Sequence, residues 1–140
     1  MPMRTQIVFA VVAIGTVAFL VWRFLGPQAE RIQAGAALVQ VNVPTLTAEA
    51  SAGKAVFDAK CAVCHGPNAA GVDGAGPPLV HIIYEPNHHA DAAFYLAVKQ
   101  GVRAHHWRFG NMPPMPGVVE QDVAKIIAYV RELQRANGID

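Results

Sequence analysis

The chain has 140 residues, is 53% hydrophobic and 15% charged, and carries a formal net charge of +1. That length suits one domain plus a short addition. The near-neutral balance, 11 Lys+Arg against 10 Asp+Glu, excludes a protein that binds nucleic acid through a strongly basic face.

The addition is at the front. Ile7 to Leu25 reads IVFAVVAIGTVAFLVWRFL, with Arg23 as its one charge. As a helix at 1.5 Å per residue it would be about 28 Å long, close to the roughly 30 Å hydrocarbon core of a bilayer. Arg23 can snorkel and Trp22 suits the interfacial belt. A cleaved signal peptide would have a shorter apolar core with a small-x-small site close behind it. The nearest such site, Ala34-Gly35-Ala36, lies well beyond the run. Residues 1–26 are therefore expected to form an uncleaved N-terminal transmembrane signal anchor. Gly26, Pro27, Gly35 and Pro44 make residues 27–46 read as a tether, with some helix expected around Glu30–Val39. The globular domain is expected over 47–140.

Three main helices are predicted within it. The first covers Ala48–Ala62, with Val56 and Phe57 on an apolar face and Gly53 permitting close approach by another helix. The second covers His89–Gln100, with Ala90, Ala93, Phe94, Ala97 and Val98 at helical spacing and Gly101 as a stop. The last covers Val119–Ala136. Val119, Val123, Ile126, Ile127, Val130 and Leu133 fall on one stripe, and Asn137-Gly138 ends it. No strand pattern is evident, so the expected class is all-α.

At the end of the first helix stands Cys61-Ala62-Val63-Cys64-His65, which contains the chain's only two cysteines. C-x-x-C-H is the attachment signature of a c-type haem. Two thioethers fix the porphyrin, and one helical turn carries both sulfurs and the imidazole to the same face. A thioredoxin-like pair would want a βαβ setting. A structural zinc site would want a second pair of ligands, and no matched pair follows. The loop Gly66–Asn87, with four glycines and four prolines, is long for a small domain unless it packs round a ligand. A haem would also supply apolar surface that about 90 residues need for a stable core. Phe109-Gly110-Asn111-Met112-Pro113-Pro114-Met115-Pro116-Gly117 offers a second iron ligand. A thioether suits ferrous iron and raises the potential, and the prolines fix the backbone around it.

Cys61–His65, then Gly76-Pro77-Pro78-Leu79, then Asn111-Met112-Pro113-Pro114, then an amphipathic last helix: over residues 48–138 this chain resembles a class I c-type cytochrome. The resemblance implies the cytochrome c fold of three main helices around one covalently attached haem c. It implies Cys61 and Cys64 as thioether sites, His65 as proximal iron ligand and Met112 as distal ligand, with Met115 as the alternative. It further implies that the Pro77 carbonyl accepts a hydrogen bond from the proximal imidazole, that Leu79 packs on the haem, and that the first and last helices cross with Gly53 and Phe57 against Tyr129. Val119 stands where members commonly place Ser or Thr to cap the last helix.

Five more histidines lie outside the motif: His81, His88, His89, His105 and His106. Each could in principle replace methionine as the second iron ligand; each alone otherwise reads as a surface or helix-start residue, and His88-His89 as the opening of the second helix. Trp107 or Arg108, just before the methionine loop, can hydrogen-bond a haem propionate, or Trp107 can simply close the core. The function expected is single-electron transfer, not catalysis, between redox complexes of a respiratory or photosynthetic chain. The partners would be a quinol-oxidising complex, a terminal oxidase, a reaction centre or a dehydrogenase. Haem attachment of this kind takes place on the outer side of an energy-transducing membrane. The expected location is thus the inner membrane, single-pass, with the haem domain in the periplasm. Rival readings are a haem sensor or catalyst with an exchangeable sixth ligand, a subunit of a larger oxidase or dehydrogenase, and a zinc scaffold.

Overall fold

The computed structural model describes residues 15–16 and 35–140; most of the expected transmembrane span, and residues 27–34 of the tether, lie outside the described residues. Among the described residues no helix is long and apolar enough to cross a membrane, and the only β pairing is two isolated bridges. The compact unit that carries the site runs from Gln33 to Asp140.

Four helices organise it: α1 (Ala48–Lys60), α2 (Ala62–His65), α3 (Asp91–Gln100) and α4 (Glu120–Ala136). α1 begins at Thr47, whose hydroxyl accepts the Ala50 amide at 3.2 Å, the ordinary N-cap arrangement. The same residue is tied to α4, because the Thr47 amide and hydroxyl both donate to the Glu132 carboxylate. One side chain of α4 thus helps position the start of α1.

The two helices cross closely at Gly53. A Cβ on Gly53 would lie 1.9 Å from the Lys125 carbonyl oxygen, so only glycine allows this separation. One turn on, Phe57 meets Tyr129 edge-on, with ring centroids 5.5 Å apart at 61°. Around that pair the core gathers Ala50, Val80, Ile126, Val130 and Leu133. The stripe read on α4 is buried from Val123 to Leu133, while Val119 is 56% exposed. Val119 is the N-cap and has no side-chain cap bond, so the helix starts one residue later than expected.

Two other expectations shift. The first helix does not run unbroken through Ala62; the chain kinks at Cys61 and resumes as α2, which ends at Gly66 with φ 73°. The second helix starts at Asp91 rather than His89, because His88 and His89 close a turn on the Glu85 carbonyl.

Residues 35–46 contain no helix and are bound to the domain. Leu38 and Val39 donate to the Ala70 carbonyl, the Gly35 amide donates to the Asp73 carbonyl, and the Asp73 amide donates to the Ala36 carbonyl. Asn42 and Asn137 bond reciprocally through side chain and backbone. Val41 and Leu46 pack against the core. The compact unit therefore begins well before residue 47, since the Gly66–Asn87 loop needs partners for its backbone and finds them in this segment.

The same loop is anchored from the other side by α4. Arg131 is 7% exposed and Gln134 fully buried. Arg131 donates to the Tyr84 and His89 carbonyls, to Gln134 Oε1 and to Asp91. Gln134 donates to the Leu79 and Tyr84 carbonyls. A charged fork satisfied on several sides can hold an irregular loop that lacks secondary structure of its own.

Candidate functional site

α3 has an apolar face, yet none of its residues is fully buried. Ala93, Phe94, Ala97 and Val98 line a cavity of about 440 Å³, and Phe94 also packs against the core. Cys61, Cys64 and His65 stand on another wall, with Pro77, Leu79, Tyr84, Trp107, Met112 and Met115 completing it. The fold thus brings together all but one of the residues expected from the sequence to contact the haem or its iron. The exception is Arg108, which is exposed and does not line the cavity.

His65 is held in one orientation. Its Nδ1 lies 2.9 Å from the Pro77 carbonyl oxygen. A carbonyl only accepts, so Nδ1 carries the proton and Nε2 keeps its lone pair. Burial pushes the His65 pKa below the ordinary histidine range, partly offset by that hydrogen bond, which keeps the ring neutral. The approach of the loop is enforced by Gly76, where a Cβ would lie 2.6 Å from the Cys64 carbonyl oxygen. Cys64 is exposed and Cys61 half-buried. Burial, with the neighbouring Cys64, pushes the Cys61 thiol up to about 11.

The methionine loop is pinned to the end of α3. Val102 and Met112 exchange both backbone hydrogen bonds at 2.9 Å, and the Ala104 amide donates to Asn111 Oδ1 at 2.9 Å. Gly101, at φ 77°, makes this pairing feasible, since a Cβ there would lie 2.4 Å from the Met112 carbonyl oxygen. Met115 donates its amide to the Val98 carbonyl, and its carbonyl accepts the Val118 amide. Both methionines are half-buried.

Trp107 Nε1 is buried and has no hydrogen-bond partner. The Tyr84 phenol stands beside it without completing a bond. An unpaired buried N–H costs stability, and a carboxylate-bearing ligand would satisfy it. Tyr84 and His89 were not singled out as pocket residues from the sequence. The stretch that places them has no periodicity, and the Arg131 and Gln134 bonds from α4 fix its position there.

These features fit a haem. The cavity is apolar, opens beside two thiols and one oriented imidazole, offers two thioethers, and holds an orphaned donor for a propionate. Among family models, that described as Cytochrome c matches residues 50–134. Neither the curated proteins nor the solved structures yield a significant match.

Proposed function

Because the chain belongs to the cytochrome c family, and so is an electron-transfer haem protein with haem c attached covalently, we propose that it is a mono-haem, His/Met-ligated carrier of class I type. It would be tethered to the inner membrane by residues 1–26, with the haem domain in the periplasm. There it passes single electrons between a quinol-oxidising complex and a terminal oxidase, reaction centre or dehydrogenase, without transforming a substrate.

When bound, the haem supplies a one-electron ferric/ferrous couple. The chain's residues do the rest. Cys61 and Cys64 hold the group by two thioethers, and His65 offers Nε2 in a tautomer set by Pro77. Met112 offers a neutral sulfur from a backbone clamped on both sides, so little need move between oxidation states. Trp107 Nε1 and the Tyr84 phenol provide donors for a propionate, and Phe94, Ala97 and Val98 present an apolar wall to the haem.

Partner contact is best assigned to the cavity mouth. Val63 is 81% and Leu96 53% exposed, and both line the cavity. A small apolar patch beside the thioether edge suits brief redox encounters, for which confinement at a membrane substitutes for affinity.

The observation that carries the ligation is the His65–Pro77 bond facing a cavity that Met112 also lines. The test is the visible spectrum of the reduced holoprotein with and without carbon monoxide. A low-spin spectrum unchanged by the gas supports the closed site. A prompt shift means an exchangeable sixth position, and the sensor or catalyst reading replaces the carrier.

A further inference from the structure

Four of the five histidines outside the attachment motif converge at one edge of the domain. His88 and His89 close the turn before α3, and His105 and His106 lie in the bend before the methionine loop. The ring centroids of His105 and His106 are 4.2 Å apart, those of His88 and His89 4.7 Å, and both His88 and His89 lie 5.4 Å from His106. One ring nitrogen from each of His88, His89 and His106 lies within 4.8 Å of the other two. We propose that His88, His89 and His106 form a binding site for a divalent first-row transition metal, zinc or copper, separate from the iron site.

The geometry is that of ligands awaiting a cation. His88 Nε2 and His106 Nε2 face each other at 3.4 Å, long for a hydrogen bond. A tetrahedral zinc with Zn–N of about 2.0–2.1 Å places two ligand nitrogens about 3.3 Å apart. The wider separations close with a ring movement of about 1.5 Å to reach that spacing, which the exposed His88 and His106 rings can make. The His89 Nδ1 lies 2.6 Å from the Ile83 carbonyl oxygen, so Nδ1 donates and Nε2 keeps the lone pair with which to ligate. A backbone carbonyl behind a ligating histidine is the usual outer support of such sites. The backbone is held as well, since the buried Arg131 donates to the His89 carbonyl.

The donor set selects the ion. Three imidazoles with no carboxylate among them suit zinc or copper, whereas calcium and magnesium require oxygen. Metal binding needs neutral imidazoles. His89 and His106 also line the haem cavity, so the metal would sit at its rim.

The test uses untagged, haem-loaded protein titrated with zinc by calorimetry, and with copper(II) followed by electron paramagnetic resonance. The expected result is one zinc per chain and nitrogen hyperfine structure on bound copper. His88→Ala, on an exposed residue outside the cavity, should weaken zinc at least tenfold while the haem spectrum stays unchanged, and His106→Gln should likewise weaken zinc at least tenfold. Zinc binding absent at 100 µM would overturn the proposal, as would binding that ignores both His88→Ala and His106→Gln. A haem spectrum altered by His88→Ala would also overturn it, because the cluster would then be serving the iron.

Discussion

Replacing Arg131 by alanine tests whether α4 fastens the loop that walls the cavity. Arg131 makes four hydrogen bonds, to Asp91, the Tyr84 carbonyl, Gln134 and the His89 carbonyl, and its guanidinium lies 5.2 Å from the centre of the Phe94 ring. The Asp91 side chain is 61% exposed, so that pair contributes well under about 1 kcal/mol. The Tyr84 carbonyl keeps the Gln134 amide as a donor. The His89 carbonyl and Gln134 Oε1 lose their Arg131 donors, and each acceptor left unpaired costs about 1–3 kcal/mol. The expected destabilisation is about 3 kcal/mol, since water entering the loop recovers part of the loss. At a urea dependence of about 1.5 kcal/mol/M the unfolding midpoint of the holoprotein falls by about 2 M. Arg131→Lys keeps the charge but not the fork, and should fall between the two. A midpoint shift below about 0.3 M for Arg131→Ala would refute the fastening role, given the same urea dependence.

Gly53→Ala places a Cβ 1.9 Å from the Lys125 carbonyl oxygen, so α1 and α4 must separate; a loss of about 2 kcal/mol or more is expected, read as a fall in Tm of about 8 °C or more. An unchanged Tm would show the crossing to be slack. Met112→Ala should let reduced protein bind carbon monoxide while Met115→Ala should not, and the reverse pattern would move the distal ligand to Met115. Tyr129, pushed up to about 12 by burial and then by the Asp58 charge, holds its proton more tightly folded than unfolded. Its contribution is therefore complete below about pH 10 and lost as pH rises from about 10 to 12. Urea midpoints of wild type and Tyr129→Phe across that range should diverge, with the wild type declining more steeply, and parallel curves would count against the assignment.

Much of this protein is local in the sequence. The apolar stripe of α4 is read directly because a helix buries every third or fourth residue on one face, and Val123 to Leu133 are buried as the spacing requires. Cys61, Cys64 and His65 are legible because their chemistry depends on separation within one turn. Gly53 is legible as a small residue on a helix face, though not its partner. Other features depend on residues far apart in the chain. The sequence contains nothing periodic over Gly66–Asn87, so the positions of Tyr84, and of His89 just beyond, follow from Arg131 and Gln134, 42 to 50 residues further on. Residues 35–46 read as a spacer by composition, yet their backbone groups complete those of the long loop. The two histidine pairs are unremarkable singly, and only the docking of the turn before α3 against the bend before the methionine loop makes them one cluster. Residue type and spacing alone carry the attachment chemistry and the helices. The cavity's polar donors and the histidine cluster arise only when the folded chain satisfies its buried polar groups across long separations.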